Sequence, residues 1–418
     1  MRSFFRTFLS LAVVHWLTSI GVVLTTASAA VCMLLVFQQF ENPYIGIIVF
    51  VVIPSVFVLG LILMPVGLVL AARRLGGFRA LFTQVRPPGP QLARLGWTIA
   101  FATLANASIL TAAAYHGVEV MDSKQFCGET CHSVMEPQYV RYQNSRHAAV
   151  PCVNCHIGGG AASFVHYKIS GVRQLIRLTT HTYQRPIPPA MDRVRSANEI
   201  CEECHSTKML QEDRLKIIRH YDDDERSTEK TTVLLVKIGS KIHKAHIGRN
   251  IEYSGGGPDP QMIPTVTVDG KTYTVDGASP GPVMRKMDCM DCHNRSGHDF
   301  QTPEDAVDRA IAEGKLDRSK PFSRRDAVAA LKGKLPIAQQ SATVQQIYAA
   351  NVYQGMNITW GTYPNNIGHM SFPGCFRCHD DQHKTKTGES ITQDCSACHE
   401  PIAVDEPNPE ILKTLGMK

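Results

Sequence analysis

The chain has 418 residues, enough for two or three domains; 44% are hydrophobic and 19% charged. A formal net charge of +6 is small for this length and marks no nucleic-acid partner. The 13 cysteines are many for an ordinary enzyme, and twelve of them fall in six pairs, each pair followed at once by histidine.

Three apolar runs come first, at residues 11–37, 45–71 and 97–118. Each holds the roughly 20 residues that a membrane-spanning helix needs. Arg2 and Arg6 precede the first run, and Arg73, Arg74, Arg79, Arg86 and Arg94 follow the second. The short loop QQFENPY between the first two carries no Lys or Arg. The positive-inside rule then places the N-terminus and the second loop in the cytoplasm of a bacterial inner membrane, and everything after residue 120 in the periplasm. The stretch TTASAA at 25–30 resembles a leader cleavage site, but the apolar run continues past it, so a retained anchor is expected. The odd cysteine, Cys32, sits in this run and reads as a buried thiol. His15 lies near the cytoplasmic end of the first run and His116 near the external end of the third, too far apart in depth to share a b-type haem.

The motifs follow the anchor directly. FCGETCH carries Cys127, Cys131 and His132 with three residues between the cysteines instead of two. Five regular C-x-x-C-H copies come after it: Cys152/Cys155/His156, Cys201/Cys204/His205, Cys289/Cys292/His293, Cys375/Cys378/His379 and Cys395/Cys398/His399. This is the attachment signal for c-type haem: two thiols bond the two vinyl groups and the histidine supplies an axial ligand. Zinc or a redox dithiol would need neither the adjoining histidine nor six separate copies. Six covalently attached haem c groups are therefore expected, the first at the irregular site.

Between the motifs the local signals are short. RPIPPAMDRV reads as a stiff connector before the third motif. TVTVDGKTYTV alternates about Asp269–Gly270, a two-residue hairpin signal. TPEDAVDRAIAEG predicts a helix with Thr302 as N-cap and Pro303 in its first turn. SRRDAVAALKG predicts another, with Ser323 and Asp326 near capping-box spacing and Gly333 at its end. With so little chain per porphyrin, the haems themselves are expected to form the core. The predicted fold is mainly α with little regular structure: three transmembrane helices, a periplasmic multihaem domain with a haem-packed core, and a small β-hairpin. The expected divisions are an anchor at 1–119, a first haem module at 120–225, a hairpin-containing insert at 226–285, a C-terminal haem module at 286–400 and a tail at 401–418.

A second histidine on each iron makes an electron carrier, whereas an open position permits substrate chemistry. The chain has 17 histidines, six of them in motifs, which leaves eleven. His147, His220, His243, His246, His298, His369 and His383 are the candidate distal ligands for motifs two to six, with His166 and His181 behind them.

The succession FCGETCH, SRHAAVPCVNCHIG, FVHYKISGVRQL and CEECH resembles the NapC/NirT family of membrane-anchored multihaem quinol dehydrogenases. The resemblance covers residues 97–400, and CMDCHNRSGHDF and FPGCFRCHDDQH look like additions in longer members. It implies quinol (menaquinol) oxidation at the outer membrane face beside the first haem, with electrons passed along the haems to a periplasmic cytochrome or reductase. The membrane lipid and quinone pool would be partners. The chain departs from the simple members by having three anchor helices in place of one. Their first haem takes an axial methionine; the matching residue here is Met135, one place further along. Their quinol-site lysine matches Lys168, but their carboxylate position holds Gln174. His116, Glu119 and Asp122 are then candidates to take the quinol proton.

Two rival functions remain. The chain could be an electron-wire subunit of a larger respiratory complex without its own quinol site; the extra helices and the tail PIAVDEPNPEILKTLGMK would then be docking surface. A terminal reductase is the other, but no C-x-x-C-K motif appears and the histidine supply closes most irons.

Overall fold

The computed structural model describes residues 15–35, 52–78, 80–81, 108–109, 111–112, 114–130, 132–157, 161–188, 197–205, 211–255, 259, 261–278, 281 and 283–416. The chain forms two compact units, Met1–His132 and Ser133–Lys418.

In unit one, α1 (Trp16–Leu35) and α2 (Ile53–Arg74) pack on each other. α2 is long and apolar enough to cross a membrane, with a mean hydropathy of 2.5 over its most apolar window. Apolar surface cannot drive two helices together in lipid, so close backbone approach has to do it. Small residues supply that approach. A Cβ on Gly60 would stand 2.4 Å from Thr25 Oγ1 and 2.8 Å from the Gly21 carbonyl, and one on Gly67 would stand 2.2 Å from Thr18 Oγ1. These pairs run in opposite order along the two helices, so α1 and α2 are antiparallel. Thr25 and Ser28 are buried in α1, and their hydroxyls donate to the carbonyls of Gly21 (2.7 Å) and Leu24 (2.5 Å). The helix continues without a break through the TTASAA stretch. His15 is buried just ahead of α1. Of the third apolar run, 97–107 lies outside the described residues, and 114–122 is helical. Helical content is thus substantial, and among the described residues one helix has the length and composition of a span.

Unit two holds more sheet than the sequence suggested. β1 (Arg214–Tyr221) and β2 (Glu229–Val236) form an antiparallel hairpin, and β8 (His399–Glu406) adds to β2. A second sheet has the order β6-β3-β4-β5-β7, from β3 (Ile251–Gly255), β4 (Thr265–Val268), β5 (Lys271–Val275), β6 (Val283–Lys286) and β7 (His383–Lys384). Its β4–β5 turn is the expected hairpin: Asp269 and Gly270 have φ of 49° and 86°, as a two-residue turn of this hand requires. Single strands around it complete the sheet, which only long-range pairing reveals.

Ordinary side chains also build a core here, contrary to the expectation that haem alone would. The helices α9 (Pro303–Ala312), α10 (Ser323–Leu331) and α11 (Ala342–Asn351) bury Val307, Ile311, Val328, Leu331 and Val344 against one another. Thr302 caps α9 as predicted, its hydroxyl accepting from the Asp305 amide at 3.2 Å. α10 differs from expectation: its N-cap is Phe322, in a left-handed conformation at φ 57°, and Ser323 already lies in the helix. Arg324 bridges Asp308 of α9 through Nε (2.7 Å) and Nη2 (3.2 Å). The chain after the last motif continues β8 and forms α12 (Glu410–Thr414), where Leu412 packs with Val233 and Ala403.

Candidate haem-binding site

Each regular motif closes as one tight turn. α4 (Cys152–His156) holds the second and α6 (Ala197–Glu202) begins the third. α8 (Cys289–Cys292) holds the fourth, and 3-10 turns at Gly374–Arg377 and Cys395–Ala397 hold the last two. The amides of His205, His293 and His379 donate to the carbonyl of the first cysteine of their own motif, at 2.8, 2.8 and 3.1 Å. A single turn thereby gathers both thiols and the imidazole around one point.

The thiols are not enclosed alike. Cys152, Cys201, Cys289, Cys292, Cys378 and Cys398 are half-buried, whereas Cys155, Cys204, Cys375 and Cys395 are exposed. Cys204 is one of the exposed thiols. α6 stops at Glu202, so Cys204 stands beyond the helix on an open turn, with Glu203 and His205 on either side of it also exposed. Its amide donates to the Cys201 carbonyl at 3.2 Å. Protein packing thus encloses one thiol of motif three and leaves the other at the surface.

The irregular motif is wound differently. Phe126–Thr130 forms a π turn, and α3 (His132–Gln143) follows it. A π turn takes up one residue more than an α turn, which is what the extra residue between Cys127 and Cys131 demands. Cys131 lies outside the described residues. Met135 is half-buried on α3.

Five histidine pairs carry the site. His156 faces His298 with ring centres 6.1 Å apart, and His205 faces His147 at 6.1 Å. His293 faces His243 at 6.4 Å, His379 faces His246 at 5.9 Å, and His399 faces His369 at 6.1 Å. A metal–imidazole bond is about 2 Å and the ring centre lies about 1 Å behind the nitrogen, so two imidazoles on one ion stand about 6 Å apart. The residues therefore fit a haem iron between each pair, with the two cysteines beside it. Among the described residues no three His, Cys, Asp or Glu side chains converge as a zinc site would require.

The ring nitrogens agree with this. Nδ1 of His298 donates to the Gln138 carbonyl at 2.9 Å and that of His147 to Ser296 at 3.0 Å. Nδ1 of His246 donates to Ile242 at 2.7 Å and that of His379 to Thr392 at 2.9 Å. Each bond fixes the proton on Nδ1 and leaves the Nε2 lone pair for a metal. His399 Nδ1 is buried without a partner. Burial holds His156, His246 and His293 below the usual imidazole range, and brings His298 down to about 4. All are neutral, as ligation requires. Burial pushes the thiols the other way, Cys292 to about 11 and Cys378 to about 12. Redox and zinc cysteines are acidified instead.

One segment serves several motifs. His243 ends the π turn Ile238–His243 and His246 ends α7 (Lys244–His246), three residues apart and facing motifs four and five. The Lys237 amide just before them donates to the Cys398 carbonyl of motif six at 2.9 Å. In motif four, Asp291 is buried; its carboxylate accepts from the Asp288 amide (2.6 Å) and the Tyr253 hydroxyl (2.6 Å), and pairs with Arg285 at 3.4 Å.

Two distal candidates are placed elsewhere. His383 is 1% exposed with both nitrogens engaged, Nδ1 by Asp380 at 2.9 Å and Nε2 by the Ile263 carbonyl at 2.7 Å, which makes it a structural tie in the second sheet. His220 sits on β1 and faces Asp405 at 3.5 Å. His166 and His181 are exposed. Of the quinol-site candidates, Lys168 and Gln174 lie on α5 (Ala161–Thr179), with Gln174 exposed. His116 Nδ1 stands 3.3 Å from Glu119 Oε2, one turn on, and Asp122 is half-buried.

The chain is 35% identical over 419 residues to the cytochrome c-type protein ImcH of Geobacter sulfurreducens, covering 87% of this chain and 82% of that one. It is 32% identical over 80 residues to the cytochrome c-type protein NrfH of Wolinella succinogenes, covering 18% of this chain and 45% of that one. No family model and no solved structure matches it. Motifs, ring pairs and relatives together define a membrane multihaem c-type cytochrome that transfers electrons. The chain belongs to the NapC/NirT family.

Proposed function

We propose that this chain binds six haem c groups, takes electrons from quinol at the periplasmic membrane face and delivers them to a periplasmic acceptor. The observation that carries this is the set of five ring pairs. Haem, when bound, would supply one-electron chemistry; the paired histidines of motifs two to six would hold it from both sides and the motif cysteines would tether it. At motifs two to six, histidine on both faces would leave no coordination position for a small substrate, which favours a conduit over a reductase.

α5 and the end of the anchor support the quinol step. α5 exposes Ile169, Val172 and Ile176 at 67%, 54% and 57%, residues that share one helical face. It carries Lys168, Arg173 and Arg177 and no acidic residue. That composition suits a helix lying against anionic headgroups, where quinol arrives. A quinol proton needs an acceptor, and the His116–Glu119 pair can take it: the carboxylate 3.3 Å from Nδ1 orients the imidazole. Gln174 is neutral and cannot act as a base.

The test is reduction of the detergent-solubilised full chain by a menaquinol analogue, followed in the visible haem bands. Reduction should be fast in the native chain and slowed at least tenfold in His116→Ala, with dithionite reduction unchanged in both. A native chain reduced by dithionite but not by quinol defeats the reading and leaves the subunit-wire alternative.

A further inference from the structure

Motif five reads C-F-R-C-H, and each of its two enclosed residues makes a contact beyond the motif. Arg377 Nη2 donates to the Asp291 carbonyl of motif four at 2.6 Å. Phe376 stacks on His369, with ring centres 4.2 Å apart and planes 15° from parallel. His369 is the histidine that faces His399 of motif six.

The backbone beneath this stack is pinned. The Cys375 amide donates to the Gly368 carbonyl at 2.9 Å. Gly374 is buried at φ 52°, where a Cβ would come within 1.8 Å of that same carbonyl oxygen. The segment bearing His369 therefore lies flush on the motif-five turn. The face of the His369 ring is covered by Phe376.

The consequence shows in the ring planes. His369 and His399 are 24° apart. The other pairs cross at 47° (His156–His298), 53° (His243–His293), 62° (His246–His379) and 63° (His147–His205).

We propose that Phe376 is a positioning residue that locks the His369 ring nearly parallel to that of His399, so that motif six alone among these five holds its iron between aligned axial planes. The inference rests on the bis-histidine reading above. Aligned imidazoles split the two iron d orbitals that π-bond to them, and low-spin ferric haem then gives a rhombic electron paramagnetic resonance signal. Crossed imidazoles leave those orbitals close in energy and give a strongly anisotropic signal with one very large g value. The last group in the chain is thereby made electronically distinct from those of motifs two to five. It also lies through an aromatic stack from motif five, since Phe376 is flanked by Cys375 and precedes Cys378 by two residues.

The experiment is low-temperature paramagnetic resonance of the oxidised, detergent-solubilised full chain, with haem content measured alongside. The native chain should show a rhombic low-spin component together with strongly anisotropic ones. Phe376→Leu, which keeps apolar volume but removes the flat face, should lose the rhombic component with haem content unchanged. Phe376→Trp, which keeps a stack, should retain it. A rhombic component that persists in Phe376→Leu overturns the proposal, as does its absence from the native chain. Loss of haem from Phe376→Leu also overturns it, because a positioning residue leaves both ligands in place. His369→Ala separates the two readings: it should convert one haem to high spin. If it leaves the spectrum unchanged, the bis-histidine assignment has failed; if it acts while Phe376→Leu does not, only the positioning role has failed.

Discussion

Replacing Gly374 by alanine is expected to damage motifs five and six together. Gly374 has φ 52°, and an added methyl would sit 1.8 Å from the Gly368 oxygen, 2.8 Å from its carbon and 3.0 Å from the Asn366 oxygen. Real Cβ contacts stay beyond 3.0 Å, so the 366–368 segment must retreat by 3.0 − 1.8 = 1.2 Å. A left-handed conformation costs a non-glycine residue about 1–2 kcal/mol. Losing the 2.9 Å bond from the Cys375 amide to Gly368 adds about 1 kcal/mol. The sum is about 2–3 kcal/mol, before any change in His369 ligation. Gly388→Ala is the control: Gly388 has φ 89° but nothing within 4 Å of its Cβ, so about 1–2 kcal/mol is expected there. Thermal unfolding of the full chain, followed by haem absorbance and circular dichroism, compares the two. Gly374→Ala should unfold several degrees below Gly388→Ala and should weaken the low-spin signal of motif six. Equal midpoints, with the native spectrum retained in both, would refute the argument from close approach.

His246→Ala should convert one haem to high spin, whereas His383→Ala should leave the visible spectrum unchanged and lower the unfolding midpoint, since His383 bridges Asp380 and Ile263. Asp308→Ala should destabilise the α9–α10 pair by about 1.5–3 kcal/mol, because Arg324 loses a largely buried partner but keeps Asp223 at 2.7 Å; chemical denaturation measures this. Burial, reinforced by the hydrogen bond to Asp291, raises the Tyr253 phenol above its ordinary value of 10.0. Its contribution is therefore complete below about pH 10 and is lost as pH rises from there toward the folded value, so Tyr253→Phe should flatten the alkaline side of a stability–pH curve. In the anchor, Gly60→Leu should separate α1 from α2, read as a lower thermal unfolding midpoint of the detergent-solubilised chain.

The turn and cap chemistry was legible where it is local. Asp269–Gly270 form the hairpin, and Thr302 with Pro303 open α9, because each acts on a few adjacent backbone groups. Phe322 at the head of α10 was not legible, since its left-handed conformation is fixed by Glu225, whose carbonyl accepts from the Phe322 amide at 3.0 Å. The flanking strands of the second sheet were likewise invisible: β6 and β7 are short and gain their partners only through β3 and β5. The exposure of Cys204 was hidden for a related reason, because the motif fixes the spacing of its thiols and not where the helix beneath them stops. The roles of Phe376 and Arg377 left no signal either, for a residue between two motif cysteines carries no mark of what it faces.

By itself the sequence determined where haem can be attached, that a membrane anchor precedes those sites, and which histidines are available. Attachment is covalent and local: two thiols and a histidine within one turn suffice. Which histidine faces which motif was decided only by tertiary structure. His298 follows motif four by a few residues yet faces His156 of motif two, and His147 precedes motif two yet faces His205 of motif three. The reason is physical: a distal ligand is a single imidazole that must reach a point about 6 Å from its partner ring, and no local pattern encodes that distance. His383 has the same side chain, and packing spends both of its nitrogens on the sheet.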